Sequence, residues 1–239
     1  MAAFRPLANL LSQEERKENG GTNQALPEEG SAVYARSTTI IADPSTVDEG
    51  IALVRDEVWP AIREMDGCLG LSMLVDREAG RTITTASWQS EEALRESTGA
   101  VLPLRERAVH LMGANPPVVE EWEIASMHRA HHADPGTCVR AAWSRVSPAQ
   151  AAHAIDFYKD RLLPDIERLD GFVSASLLVD RASGRGVTSV AFESREAMER
   201  TRDQADYLRG TSTNEANVEF LDVAEFELAF AHLHVPELV

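Results

Sequence analysis

Apolar positions along the chain fall into two matching series with a constant offset of 104 residues, Asp66 aligning with Asp170. In the first copy Val47, Ile51, Val54, Val58, Ile62 and Met65 step by 4, 3, 4, 4 and 3. That spacing fits the 3.6-residue period of a helix buried along one side. Ala151, Ile155, Tyr158, Leu162, Ile166 and Leu169 repeat the stripe in the second copy. Before the first stripe, residues 33–42 are rich in threonine and β-branched residues and predict a strand. After each stripe, Asp66-Gly67 and Asp170-Gly171 supply a glycine able to take the left-handed conformation that ends a helix. Strands over 69–75 and 173–179 follow, then turns at Asp76-Arg77-Glu78-Ala79-Gly80 and Asp180-Arg181-Ala182-Ser183-Gly184, and strands over 81–88 and 185–192. Ser90 and Ser194 cap a second helix that opens on acidic residues. A less regular stretch leads to last strands over 118–125 and 222–229, where Glu121-Trp122-Glu123 aligns with Glu225-Phe226-Glu227.

Each copy therefore reads β-α-β-β-α-β, the ferredoxin-like arrangement, and the chain is an α+β tandem repeat. Four antiparallel strands with both helices on one face leave the other face to be buried. A second copy is the natural cover, which predicts sheets packed face to face as an intramolecular, pseudo-dimeric α+β barrel. The boundaries are a flexible tail over 1–31, repeat one over 32–128, a linker over 129–136 and repeat two over 137–239. Pro60 and Pro164 fall at matching places in the first helices and predict a bend or break there.

Charge and cysteine use narrow the function classes. A formal charge of −16 without a basic patch disfavours nucleic acid as a partner. No apolar run approaches the length of a membrane span, and the N-terminus lacks a secretory core, so a soluble cytoplasmic protein is expected. Cys68 and Cys138 are lone and flanked by apolar residues, which fits small buried thiols and gives neither metal spacing nor a disulfide framework. His128, His131 and His132 read as a solvated linker rather than a metal site.

The combination of Pro-x-Ile-x-x-x-Asp-Gly at a helix end, an apolar strand, an Asp-Arg-x-x-Gly hairpin and an aromatic-x-Ser-x-Glu-Ala helix start resembles the dimeric α+β barrel superfamily. Within it the likeness is to the antibiotic biosynthesis monooxygenase (ABM) domain, over 33–128 and 137–232. The resemblance implies a small-molecule-binding barrel, without cofactor or metal, that could oxidise a planar aromatic or polyketide-like substrate. A non-catalytic ligand-binding, interaction or stress-associated protein on the same fold is the alternative it leaves open. Trp88 stands where catalytic members place a tryptophan, with Phe192 at that place in repeat two. The asparagine of polyketide-oxidising members is replaced by Thr84 and Thr188, and the histidine of heme-degrading members by Thr98 and Arg202.

Candidate catalytic residues are then Trp88 to shape the pocket, Thr84 or Arg36 to stabilise an oxyanion, and His110 as a base. Arg140, Trp143, Tyr158, Thr188 and Phe192 are candidates for binding substrate in repeat two. For Arg36 and Arg140, in matching first strands, a salt bridge to a glutamate of the last strand (Glu121 or Glu123, Glu225 or Glu227) is the competing structural role. Expected partners are a small apolar or aromatic molecule and, through the tail, another protein. The chain is expected as a monomer with its internal pseudo-dimer or as a further homodimer.

Overall fold

The computed structural model describes residues 32–113, 116–134 and 136–238, and the expectations for the tail lie outside them. Eight antiparallel strands close one barrel: β1 (Val33–Ile41), β2 (Cys68–Asp76), β3 (Arg81–Trp88), β4 (Val118–Arg129), β5 (Cys138–Arg145), β6 (Phe172–Asp180), β7 (Arg185–Phe192) and β8 (Glu219–Leu233). Their order around the barrel is β1-β3-β2-β8-β5-β7-β6-β4. The two predicted sheets thus do more than face each other, because they join at both edges.

The long last strands make that closure possible. The first part of β4 pairs with β1 (Arg36↔Glu121, Thr38↔Val119), and its second part pairs with β6 of the other repeat (Ile124↔Leu178, Met127↔Ser176). Likewise β8 pairs first with β5 (Arg140↔Glu225) and then with β2 (Leu71↔His232, Met73↔Phe230). Among the described strands no edge is left for a foreign strand to pair with. The hairpin arginines reinforce both seams, Arg77 reaching Glu227 at 2.8 Å and Arg181 reaching Glu123 at 2.6 Å.

Alternation along the strands sends one set of side chains into the barrel and the other toward the helices. Val33, Ala35, Trp122, Ile124, Ala141, Val187 and Phe226 fill the interior. The guanidinium of Arg81 lies 5.6 Å from the Phe226 ring centroid and that of Arg185 5.6 Å from Trp122, in matching cation–π contacts, and Arg81 also lies 4.3 Å from Trp143.

The helices lie outside. Helix α1 comprises Val47–Leu53, a π-helical turn Val54–Val58 and Trp59–Ile62; α4 comprises Ala151–Phe157, a π-helical turn Tyr158–Leu162 and Leu163–Ile166. The prolines therefore do not break the helices. One extra residue per turn is accommodated just before each proline, where the Trp59 and Leu163 amides donate five residues back, to Val54 and Tyr158. Val54 and Val58 both stay buried, as do Tyr158 and Leu162.

The stretches expected to be irregular are helices. Repeat one has α2 (Glu91–Glu96) followed by α3 (Thr98–Leu111), and repeat two has α5 (Arg195–Arg200) followed by α6 (Arg202–Ala216). Ser90 and Ser194 accept from the Ala93 and Ala197 amides, as capping residues do. Gly67 and Gly171 sit at φ 73° and 70°, and an added Cβ would lie 2.6 and 2.5 Å from Ala93 and Ala197. The helix-ending reading of the Asp-Gly pairs holds, with close packing as a second reason for glycine.

Arg36 and Arg140 fasten helices to sheet. Arg36 donates to Glu121 Oε1 from Nε and Nη2 (3.0 and 2.8 Å), to Ser97 Oγ (2.9 Å), to the Leu94 carbonyl (2.8 Å) and to Thr98 Oγ1 (2.8 Å). Arg140 repeats the pattern on Glu225, the Met198 carbonyl and Thr201. Each is nearly fully buried, at 4% and 5% exposure, and ties the first strand, the last strand and the junction between two helices. Removing either leaves buried acceptors without donors. Arg36→Ala and Arg140→Ala are each expected to cost about 3 kcal/mol and to lower Tm by roughly 6–12 °C, as thermal unfolding by circular dichroism would read. A shift below the noise of the scan would remove this role.

Candidate active site

Between the sheet of repeat one and helices α1 and α3 lies a narrow cavity, with about 60 Å³ open to the centres of water-sized molecules. Its wall is mostly apolar, from Ile40, Val54, Val58, Ile62, Leu71, Val101, Leu104 and Met112. Five polar or amphipathic side chains reach it, Arg36, Thr38, Thr84, Trp88 and Arg105. Three of the four residues expected to act in repeat one are therefore brought together, from β1 and β3. Strand alternation explains it, since Arg36 and Thr84, like Trp88, point to the helix side.

The donors differ in what they already bind. Those of Arg36 are taken up by the bonds described above. The Trp88 indole is fully buried, and its Nε1–H meets no acceptor. Nε and Nη2 of Arg105 are also buried without a partner. Burial pushes the Arg105 pKa down, the neighbouring Arg36 charge lowers it further, and Glu121 partly offsets both. Buried donors of this kind are costly unless something accepts from them. Three donor nitrogens without a partner, on two side chains that border one apolar cavity, suit an electron-rich oxygen. None of the described lining residues is a carboxylate, histidine, lysine or cysteine. The walls can hold and stabilise an oxyanion, yet they supply no general base.

His110 does not reach this cavity. It lies exposed in the last turn of α3, two residues after Ala108, and Ala108 and Met112 face inward. At 100° per residue that places the imidazole on the far side of the helix, so the role of cavity base is corrected. Trp143 is corrected as well. Arg140 faces the helices, and a residue three further along β5 must face the barrel, where Trp143 packs at 6.3 Å from Phe226.

In repeat two the matching cavity is lined by Arg140, Tyr158, Thr188, Phe192 and Arg209, with about 70 Å³ open. The two donor side chains of repeat one are here replaced or paired. Phe192 replaces the indole, and Arg209 forms an ion pair with Asp206, where repeat one has Leu102. Burial lowers the Arg209 pKa, and Asp206 counters part of that. The Tyr158 hydroxyl is buried and has no partner. Burial drives its pKa above the usual phenol value, the Glu167 charge adding to the shift.

Arg105 and Arg209 escaped the sequence reading although they align across the two copies. A matched arginine pair was the available signal, concealed because its stretch looked irregular. The linker histidines are engaged elsewhere: His128 lies 3.2 Å from Glu237 and 3.4 Å from Glu167, and His131 lies 3.5 Å from Glu193. Among the described residues no group of three or more His, Cys, Asp or Glu could hold a metal ion, and no helix is long and apolar enough to cross a membrane. Cys68 and Cys138 are buried free thiols.

No protein-family model matches the chain. Uncharacterized protein Rv2557 of Mycobacterium tuberculosis (strain ATCC 25618 / H37Rv) is 55% identical over 223 residues, covering 92% of this chain and 99% of its own. Rv2558 of the same strain is 54% identical, covering 92% and 94%. Among solved structures, a "putative monooxygenase" from Lactobacillus acidophilus NCFM superposes with TM-score 0.63 at 12% identity, over 85% of this chain and 97% of its own. An anthrone oxidase-like protein superposes with TM-score 0.62 at 14% identity, over 88% and 96%. The fold is shared with these two solved structures, and the chain belongs to the family of Rv2557 and Rv2558.

Proposed function

We propose that the repeat-one cavity binds a small, planar, electron-rich aromatic or polyketide-like molecule as its oxyanion, and that the protein is a cofactor-independent monooxygenase of that molecule. The observation that carries this reading is the pair Trp88 and Arg105, which both border the apolar cavity and carry buried donors that meet no acceptor. Preorganised donors in a water-poor site stabilise developing negative charge strongly. The likeness to an anthrone oxidase-like structure is compatible with it at the level of fold alone.

For an anthrone-type substrate the step balances without a cofactor. The ring-flanking CH2 loses a proton and the resulting anion, its charge spread onto the ring oxygen, forms a C–O bond to O2. Protonation gives a hydroperoxide, and loss of the second hydrogen with cleavage of the O–O bond releases water and leaves a ketone. One oxygen atom enters the product and the other leaves as water. Trp88 and Arg105 hold the oxygen that carries the charge, Thr84 borders the reacting face, and Arg36 acts as a positioning residue through its hold on α2 and α3.

A second reading is a binding protein that performs no oxidation. Thr84 in place of the asparagine found in polyketide-oxidising relatives, and the lack of a base among the described lining residues, favour it.

Oxygen uptake with a panel of anthrones and hydroquinones separates the two. The enzyme reading expects uptake, with kcat/KM lowered roughly 100-fold in Arg105→Met, in line with the loss of one oxyanion donor. Uptake absent across the panel, with binding retained, would leave only the binding reading. Trp88→Phe removes an indole N–H that has no acceptor, so stability should stay within about 1 kcal/mol while turnover falls. Trp88→Ala should cost about 3–5 kcal/mol by opening a void. Denaturant unfolding beside kinetics checks both, and equal destabilisation by Phe and Ala would contradict the unmet-donor account. The pH dependence of kcat/KM should rise through the acid constant of each substrate and move when the substrate is changed. A rise fixed at one pH for all substrates would reveal a base on the protein.

A further inference from the structure

The cavity of repeat two continues where that of repeat one stops. In repeat one the far end is filled by Met112, whose Sδ lies 2.6 Å from where a Cβ on Gly50 would be, and by Ile40. At the matching places repeat two has Ala216 and Ala154 in place of Met112 and Gly50, Ser144 in place of Ile40, and Gly186 in place of Thr82. The exchange empties the end of the cavity. A second lobe, with about 60 Å³ open, occupies this space and is bordered by Ser144, Ala154 and Gly186. The two lobes share Tyr158, Leu162, Thr188, Ser212 and Phe220, so they adjoin at the π-helical turn of α4.

Tyr158 stands at that junction. It is 4% exposed, and its hydroxyl has no hydrogen-bond partner. Repeat one has Val54 at this place, so the phenol belongs to the second cavity alone. The three arginines that border the two lobes are engaged, Arg140 by Glu225, Arg209 by Asp206 and Arg185 by Glu120. Phe192 removes the indole donor that repeat one presents. Among the described lining residues no unpaired cation is left to favour an anion, Asp180 at the edge of the second lobe would repel one, and desolvating a charge there would be unfavourable.

We propose that repeat two holds a second ligand site, for a neutral, elongated and mainly apolar molecule whose single acceptor oxygen lies between two apolar arms and receives the Tyr158 hydroxyl proton. Each arm occupies one lobe. Because burial keeps the phenol protonated well beyond neutral pH, it stays a donor throughout the ordinary range. The site stands independently of whether repeat one turns over a substrate.

Nonan-5-one labelled with 13C at the carbonyl is a suitable probe, titrated into the full chain and followed by NMR. The expected result is saturable binding of one molecule per chain, with the carbonyl signal moving downfield as it accepts a hydrogen bond. Tyr158→Phe should abolish the downfield movement and weaken binding about 5–10-fold, while leaving thermal stability unchanged or raised, since it deletes an unmet hydroxyl. Gly186→Thr installs the residue of repeat one at the second lobe, where the nearest atom to a new Cβ is the Leu178 carbonyl oxygen at 3.3 Å. It should weaken nonan-5-one at least tenfold and butan-2-one by less than twofold. Trp88→Phe should change neither. Absence of saturable binding would overturn the proposal. So would a carbonyl shift that survives Tyr158→Phe, equal weakening of both ketones by Gly186→Thr, or loss of binding in Trp88→Phe.

Discussion

Closure of the barrel by the exchanged ends of β4 and β8 is the constraint on which the rest of the molecule depends. A four-stranded sheet with helices on one face has an apolar second face and two open edges, and neither is tolerated in water. Each last strand solves both difficulties by pairing first within its own repeat and then with the other. The interior is then filled by residues of both copies, Trp122 and Ala141 among them, so neither repeat has a complete core of its own. With the inner face committed to this core, apolar space for a ligand among the described residues lies on the outer face, under the helices. That is where all three apolar cavities lie.

Pseudo-symmetry divides the residues by purpose. What supports the fold is duplicated: the Arg36 and Arg140 anchors, the π-helical turns before Pro60 and Pro164, the serine caps and the Asp-Arg-x-x-Gly hairpins whose arginines cross the seams. What lines the cavities diverges. Trp88 corresponds to Phe192, Leu102 to Asp206 (the partner of Arg209), Val54 to Tyr158 and Met112 to Ala216. The first two exchanges leave unmet donors in repeat one and quench them in repeat two. The third adds a phenol to the second cavity, and the last shortens one cavity and lengthens the other. One duplicated scaffold thus presents two chemically distinct interiors.

Much of this was legible before any coordinates. The α1 and α4 stripes, the glycine helix ends, the hairpins and the open sheet face all follow from short-range patterns, and they led to the barrel. The seams were not legible, because which edge receives the tail of β4 depends on strand ends far apart in sequence. Helices α3 and α6 were missed for a local reason: Gly99 and Pro103 break the helical signal in one, and α6 is largely polar. Arg105 was lost with them. Trp143 and His110 are different, since counting from Arg140 along a strand and from Ala108 along a helix assigns both to the wrong face for a cavity role.

The central claim is that repeat one keeps buried donors waiting for an acceptor. The most direct measurement is a 1H–15N spectrum of the Trp88 indole and the Arg105 Nε–H groups, recorded with and without 2-naphthoate as an oxyanion probe. Both signals should move downfield and exchange more slowly with water when the probe binds, while the indole of Trp122, already bonded to Ser37 Oγ at 2.9 Å, stays in place. Binding of the probe with the Trp88 and Arg105 signals unmoved would contradict the account.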